Sequence, residues 1–383
     1  IGIEIRAQYF AFATNDEINN MTFYSYELVN RSTYTLTGTY FSQWVDPDLG
    51  FAGDDYVGCD VNRGLGYCYN GTPVDGTGQS YASGEHPPAV GVDFFQGPYM
   101  DPDGYDNPAF KGSIVGGASF GGDCAIVGQN GFVIDMTYKY KRKNGVIVDT
   151  TAKFMVRSDA INGVNFGDGI RDNERFGMRR FVYHNNTGVP DYMTDPDYAS
   201  EYYLFLRGIW KDNAKMLYGG NGHVGAGAYG PECDFMFPGE TDLCDWGTNG
   251  VSVNPKNWTE VTANNNPSDR RFMQAAGPFT LLPGACNYIT VGIPWARSIT
   301  GTAEESVAEL KAVDDKAQNL FDNCFAVLNG PNAPDLTIEE MSNSLILYLS
   351  NHKTNDAGNN YGEKYQEFDP NIPNPEGLTP RND

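Results

Sequence analysis

The sequence is poor in positive charge and has no long apolar run. It carries 26 Lys and Arg against 49 Asp and Glu, a net charge of -23 over 383 residues. A surface this negative repels phosphate backbones, so nucleic acid is not an expected partner. The apolar runs fall far short of the ~20 residues that a membrane-spanning helix needs, so we expect no membrane span.

Catalytic motifs are also scarce. Only four histidines occur, far apart in the chain, and no HExxH or CxxC spacing is present, so a catalytic zinc site is not expected. Residues 117–121 match a nucleophile elbow and residues 220–225 match a dinucleotide fingerprint, but neither has the strand–turn–helix setting that these motifs require. Whether the protein is an enzyme stays open, and a non-enzymatic role is preferred.

Seven cysteines are spaced in a way that favours disulfides. Bonds within close pairs, or between a strand and a helix, would suit an oxidising, extracellular compartment. The odd count leaves one cysteine, Cys124, without a partner if disulfides form. The alternative is a set of seven buried, reduced thiols. The candidate pairs are Cys59 with Cys68, Cys233 with Cys244, and Cys286 with Cys324.

Most of the chain has the pattern of β-strands. Alternating apolar and polar residues, rich in β-branched and aromatic side chains, predict strands at 22–29, 34–41, 132–140, 143–148, 152–156, 200–206 and 287–295. Asn144-Gly145 is typical of a hairpin turn. We therefore predict a mainly β fold, an antiparallel β-sandwich or jelly-roll-like core with long loops.

One helix is predicted near the C-terminal end of this core. Thr302 and Glu305 form a capping-box pattern, and apolar residues then recur every three or four positions, so the helix should span about 303–325. Strand-like segments after 334 predict a small β appendage. The expected domains are a β-sandwich-like domain at 1–329, and a second small β unit with a Pro/Asn-rich linker at 330–383.

Acidic bends are the clearest candidate sites. Asp-Pro-Asp occurs three times, and carboxylates two residues apart in a tight bend can point at one cation. Calcium takes six to eight oxygen ligands, largely carboxylates and carbonyls, so structural Ca²⁺ is expected. Solvated turns are the alternative, since Asp, Pro, Gly and Asn are common turn residues. The candidate ligands are Asp46, Asp48, Asp54, Asp55, Asp60, Asp101, Asp103, Asp106, Asp168 and Asp172.

Aromatic residues in loop-like segments allow two interpretations. Phe94, Phe95, Tyr99 and several tryptophans could form a stacking surface for a glycan or a protein. They could instead fill the core between sheets, which is the preferred interpretation. The chain begins without Met and without a signal-peptide pattern, so we expect a processed product or a fragment.

Several segments, taken in order, resemble a known group of proteins. They are DPDLG at 46–50, DDYVGCD at 54–60, LGYCYN at 65–70, PPAVGVDFFQGP at 87–98, DRRFMQAAGPFT at 269–280 and AQNLFD at 317–322. Together they resemble large secreted proteins of Bacteroidota that are exported by the type IX secretion system, over about residues 4–369. This resemblance implies an extracellular or outer-cell-surface location and contact with the secretion machinery during export. It also makes Thr150, in an Asp-Thr-Thr sequence, a candidate for O-glycosylation.

Two functions follow as expectations. The first is a non-enzymatic surface protein, stabilised by calcium, that acts in adhesion, in glycan or partner binding, or in surface assembly. The second is a secreted hydrolase, a glycosidase or peptidase, with two carboxylates paired in a cleft.

Overall fold

A computed structural model of the chain describes most of its residues. The chain divides into two units, Ile1–Asn319 and Leu320–Asp383. The residues described are 2–13, 16–104, 114–115, 118–119, 133–143, 146–156, 162–166, 168–243, 245–248, 251–322, 335–341 and 344–350.

The described elements are mostly strands. The helices are α1 (Ala199–Phe205) and α2 (Ala303–Asp322). The strands are β1 (Ile3–Phe10), β2 (Thr22–Asn30), β3 (Leu36–Val45), β4 (Asp55–Asp60), β5 (Leu65–Asn70), β6 (Val74–Asp75), β7 (Gly84–Glu85), β8 (Ala89–Gln96), β9 (Ile114–Val115), β10 (Ala118–Ser119), β11 (Val133–Lys143), β12 (Val146–Val156), β13 (Arg180–His184), β14 (Arg271–Leu281), β15 (Cys286–Ile293), β16 (Trp295–Ala296), β17 (Asp335–Met341) and β18 (Ser344–Ser350).

Two antiparallel sheets form the core of the first unit. The large sheet has the order β1-β2-β15-β8-β5-β4, with β16 pairing to β8, and the small sheet has the order β13-β14-β3. The neighbours in both sheets pair antiparallel. The prediction of a mainly β, antiparallel fold is confirmed.

The two sheets pack face to face, with aromatic rings between them and a glycine at a point of close approach. A Cβ at Gly66 of β5 would contact Gln274 and Phe272 of β14, so the sheets approach closely there. The Gln274 amide donates to the carbonyl of Val92 at 3.0 Å, and Phe94 packs edge-on against Phe41. Large buried side chains between the sheets supply the main apolar burial of the core.

Helix α2 covers the opposite face of the large sheet. Side chains alternate along a strand, so Tyr67 faces away from the small sheet and lies under the ammonium group of Lys311. The Ser306 hydroxyl donates to the Pro87 carbonyl at 2.7 Å. At the first turn, the Glu305 carboxylate accepts the backbone N–H of Thr302 at 2.6 Å, half of the predicted capping box.

The predicted strand at 200–206 is wrong, because this segment forms α1. The Glu201 carboxylate accepts the backbone N–H groups of Asp197 and Tyr198, at 2.7 and 3.3 Å. These hydrogen bonds satisfy N–H groups at the start of the helix. The stabilisation that they provide outweighs the strand preference of the aromatic residues that follow.

The predicted hairpin around residues 144–145 and the predicted strand-like segments after 334 are confirmed at the level of their strands. β11 pairs with β12, and β17 pairs with β18. The turn residues 144–145 lie outside the described residues. The β17–β18 hairpin belongs to the second unit, where its described apolar side chains are exposed.

The cysteines correct the disulfide prediction. Cys59, Cys68, Cys233 and Cys286 are free thiols, while Cys124, Cys244 and Cys324 lie outside the described residues. Cys59 is in register with Gly66, and Cys68 with Val57. The two cysteines are therefore diagonal neighbours, whose Cα atoms lie about 7–8 Å apart, too far for a disulfide of normal geometry. The four cysteines that the structure describes therefore supply no disulfide in support of an extracellular location.

Neither described helix combines the length and the apolar character that crossing a membrane requires.

Candidate functional site

The end of the small sheet brings distant acidic residues together. β3 ends at Val45, which is in register with Phe272 near the start of β14. His184, the last residue of β13, is in register with Arg271. Residues that follow β3 therefore meet residues that precede β14, although more than 200 positions separate them in the sequence.

The Asp46-Pro47-Asp48 bend directs two carboxylates to this edge. Proline holds its own φ near −65°, and Asp48 adopts a left-handed conformation with φ of 38°. Asp tolerates this region better than most residues because its short side chain can bond locally. The reversal places Asp46 and Asp48 beside Asp269.

These three residues form what we call the acidic cluster. Of the residues that the structure describes, Asp46, Asp48 and Asp269 make one group whose carboxylate oxygens lie within 4.8 Å of one another. Arg271 bonds to Asp46 at 2.9 Å and to Asp269 at 3.2 Å. Three carboxylates and one guanidinium leave a net charge of −2, which a divalent cation would balance.

Electrostatics within the cluster favour such a cation. Partial burial raises the pKa of Asp46, and the neighbouring carboxylates add to this, while Arg271 opposes it. Like charges held close together disfavour ionisation unless a cation separates them. One oxygen of Asp269, Oδ1, is buried and has no hydrogen-bond partner, so it can serve as a ligand atom.

A buried histidine borders the cluster but is closed to substrate. His184 is fully buried, and its Nδ1 lies 2.8 Å from Oδ1 of Asp195. Burial lowers the pKa of His184, although Asp195 opposes this. The ring packs against Trp44 and Phe205. A histidine beside an aspartate is the arrangement of a catalytic dyad, but neither ring nitrogen of His184 is exposed to a substrate.

A polar cavity of about 260 Å³ uses the same chain segments. Its lining includes Tyr183, Asn185, Asn221, Asn265, Asn266 and Arg270. The Asn185 amide donates to the backbone carbonyl of Asp269 at 2.9 Å and accepts from Arg270 at 3.1 Å in the orientation that satisfies both groups. The cavity offers mainly amides and hydroxyls, so it suits a neutral, hydrogen-bonding ligand.

The other acids predicted to join Asp46 and Asp48 lie elsewhere. Asp54 accepts from the Gly76 N–H at 3.0 Å, and Asp55 from the Leu49 N–H at 3.1 Å. Burial raises the pKa of Asp55 to about 9. Asp60 is buried and ion-paired with Arg63 and Lys311, at 2.9 and 3.1 Å. Asp54, Asp55 and Asp60 therefore do not belong to the acidic cluster.

The two remaining acidic bends bind backbone groups. Asp101 accepts both the N–H and the hydroxyl of Thr280, at 2.6 and 2.7 Å. Asp172 accepts the N–H groups of residues 103 and 104, each at 2.6 Å, which joins two bends that the sequence kept apart. Asp168 accepts from the Ile170 N–H at 2.8 Å. These carboxylates hold turns through hydrogen bonds, which is what the turn alternative expects. Asp103 lies in the joined bend. Asp106 lies outside the described residues.

Aromatic side chains mostly fill the core, as preferred from the sequence. Phe94, Phe95, Trp210, Trp246 and Trp258 are buried. Tyr99 is 38% exposed, and the guanidinium of Arg175 lies over its ring at 4.0 Å, so one face of the ring is already covered. Thr150 lies in β12, in register with Tyr140.

Sequence reasoning missed Asp269, Arg271 and the His184–Asp195 pair as neighbours of the bend. Asp269 does stand in one of the segments that carry the family resemblance, just before a predictable run of apolar residues. That position signals a strand end, but it does not say which other strand end lies beside it.

Comparison of this chain with protein-family models, with curated proteins and with solved structures gave no match in any of the three.

Proposed function

We propose that this protein is a non-enzymatic extracellular or cell-surface protein, stabilised by calcium, that acts in adhesion, in glycan or partner binding, or in surface assembly. The observation that carries the proposal is the acidic cluster. Each of its three carboxylates offers an oxygen to one shared point, its net charge matches one divalent cation, and weak calcium sites fill outside cells, where sites with dissociation constants of roughly 10⁻⁴–10⁻³ M are common.

Location and partners are inferred from the sequence resemblance. The six segments that resemble type IX secretion substrates imply export through that machinery and residence at the outer cell surface. Other surface proteins or glycans are then the partners within reach. The polar cavity beside the acidic cluster supports a glycan, because amides and hydroxyls pair with sugar hydroxyls in both donor and acceptor roles.

The alternative of a secreted hydrolase has less support. It needs two carboxyl groups facing each other across an open cleft, about 5 to 9 Å apart. A second cavity has two carboxylates in its lining, Glu232 and Asp234, but they pair with Lys215 and Arg180 at 3.9 and 3.1 Å.

Calcium stabilisation can be measured directly. A cation that binds only the folded state stabilises it by mass action, by about 2.7 kcal/mol at a concentration of 100 times Kd. We expect roughly 5 mM Ca²⁺ to raise the melting temperature by several degrees over chelator at constant ionic strength, and Mg²⁺ to do less, because it dehydrates reluctantly. Asp48→Asn should remove most of this rise.

A matched control is Asp168→Asn, which changes an acid in another bend outside the acidic cluster. It should keep the full calcium response. No calcium response in the unmodified protein, or equal responses in the Asp48 and Asp168 variants, would contradict the calcium site.

The binding function needs its own test. Saturable binding to a glycan or surface protein on broad arrays, without turnover of glycoside or peptide substrates, is the expected result. Turnover that survives purification, combined with no binding across the arrays, would favour the hydrolase.

A further inference from the structure

A second cavity concentrates positive charge in this acidic protein. It has a volume of about 180 Å³ and lies where β13 begins and α1 has just ended. Its charged lining consists of Arg179, Arg180, Arg207, Lys215, Glu232 and Asp234. Four cations face two carboxylates there, so the lining is positive within a chain whose net charge is -23.

The two carboxylates neutralise only part of this charge. Asp234 lies 3.1 Å from Nη1 of Arg180, and Glu232 lies 3.9 Å from Nζ of Lys215. The guanidinium group of Arg207, which is exposed, sits over the ring of Tyr203 at 5.6 Å. The stacking leaves its N–H groups available, because a guanidinium packs on a ring through its face and donates through its edge.

Arg180 supplies a donor without an acceptor. Its Nη1 donates to the carbonyl of Arg179 at 2.7 Å and contacts Asp234, whereas its Nε is buried and has no hydrogen-bond partner. A buried donor left unsatisfied costs about 1–3 kcal/mol, so a ligand that accepts from it recovers that energy on binding.

We propose that this cavity, the cationic cavity, binds an oxyanion group: a carboxylate, sulfate or phosphate carried by a small polar molecule or a glycan. Guanidinium groups donate in a planar fork that matches oxyanion geometry, and charge-assisted bonds of this kind are among the strongest hydrogen bonds in proteins. The size fits as well, since a cavity of about 150 Å³ admits a benzene-sized guest. The cavity therefore holds an oxyanion with a ring or short chain attached.

The inference does not depend on calcium or on the cell-surface location. The cationic cavity is lined by the segments 179–180, 207–208, 215–216 and 232–234, none of which contains a residue of the acidic cluster. Failure of the calcium experiment would leave this proposal intact, and its own failure would leave the calcium site intact.

Calorimetric titration with two probes tests the proposal. Sodium sulfate and sodium glucuronate are titrated separately into the full chain at constant ionic strength set with sodium chloride. Saturable binding of glucuronate assigns a carboxylate-bearing ligand, and saturable binding of sulfate alone assigns a tetrahedral oxyanion. Saturation by neither probe overturns the proposal.

Surface variants locate the binding. Arg207→Gln and Lys215→Gln change exposed cations of the cavity, so folding is not at risk, and each should weaken binding by about five- to tenfold. Lys316→Gln changes an exposed lysine on α2 as the matched control, and it should weaken binding less than about twofold. Equal weakening by all three variants would indicate non-specific attraction and overturn the site.

Discussion

At the residue scale, a buried ion pair fixes the segment that carries Asp269. Glu260 is fully buried and Arg270 is nearly so, with Arg270 Nη2 at 2.8 Å from Glu260 Oε2. Glu260 also accepts the Val57 N–H of β4 at 2.8 Å, and Asn265 donates to it at 3.0 Å. The pair therefore ties the chain before β14 to the large sheet, and it holds Asp269 next to the bend after β3.

Removing one member of this pair should be costly. Arg270→Met leaves the Glu260 carboxylate buried without its cation, so we expect a loss of about 3–5 kcal/mol in the free energy of unfolding. Urea unfolding of both proteins measures this loss. Arg31→Gln, which breaks an exposed pair with Glu4, is the control and should cost far less, because solvent screens that pair. Similar losses in both variants would contradict the role given to burial.

At the element scale, α2 meets the large sheet through two acids. A Cβ at Gly91 of β8 would lie 3.3 Å from Leu310 of α2. Asp93 lies two residues after Gly91, on the same face of β8. Asp314 lies one helical turn after Leu310 on α2. The two carboxyl groups are therefore on facing surfaces of the strand and the helix, close enough to interact electrostatically. Both are buried, and Asp93 has no hydrogen-bond partner within normal geometry for either oxygen, although the nearby Phe94 N–H lowers its pKa somewhat.

These carboxyl groups hold protons where ordinary acids do not. Burial, and then Asp314, raise the pKa of Asp93 well above its usual range. Burial, and then Asp315, raise the pKa of Asp314 to about 8, while Arg63 opposes the rise. Asp60, which Arg63 and Lys311 neutralise, also faces the pair. A protonated carboxyl is neutral and costs less to bury than a carboxylate, so the interface is most stable while both acids are protonated.

Stability should therefore fall as the pH rises. In the unfolded chain these acids ionise near pH 4, whereas in the folded protein the pKa of Asp314 is raised to about 8 and the pKa of Asp93 also lies well above its usual range. Between those values the folded state binds more protons, so the free energy of unfolding falls by on the order of 1.4 kcal/mol per pH unit for each retained proton. Urea unfolding between pH 5 and 9 measures this slope.

A variant of α2 isolates the contribution of the pair. Asp314→Asn should flatten the slope and stabilise the protein near pH 8, because the amide donates to Asp93 without ionising. Glu309→Gln, an exposed acid on the same helix, should leave the slope unchanged. An unaltered slope in the Asp314 variant would rule out this pair as the source.

At the scale of the whole molecule, net charge opposes compactness. A charge of -23 creates self-repulsion that folding concentrates into a smaller volume. Hydrogen bonds from backbone N–H groups lessen this repulsion in the acidic bends, and Arg271 lessens it in the acidic cluster. Exposed ion pairs such as Arg31–Glu4 and Lys316–Glu17 lessen the repulsion elsewhere, and salt screens the charge that remains.

Salt should stabilise the folded chain without specific binding. Raising sodium chloride from about 20 to 300 mM shortens the Debye length from roughly 20 to below 8 Å, so we expect the melting temperature to rise by several degrees. Potassium chloride should act equally, which separates screening from an ion-specific effect. A melting temperature that stays flat or falls with salt would show that attractive pairs dominate the surface.

Local chemistry made part of this protein predictable from sequence. The alternation in β2 and β15, the cap at Thr302 and the Asp46–Asp48 bend depend on neighbours within a few residues, so the sequence alone indicates them. The strand prediction for α1 failed, because the Glu201 cap competes with the preference of the aromatic residues for strands. Helix and strand propensities describe the average preferences of residue types, and they do not include the free energy of one specific hydrogen bond.

By itself the sequence determined the β class, the charge and the position of the acidic bends, because these follow from composition and from contacts between near neighbours. Only the tertiary structure decided which acids share a site. The pairing of β3 with β14 placed Asp269 beside Asp46 and Asp48, and the register of β4 and β5 kept Cys59 and Cys68 apart. Pairing between distant strands depends on the packing of the whole core, which no local pattern encodes.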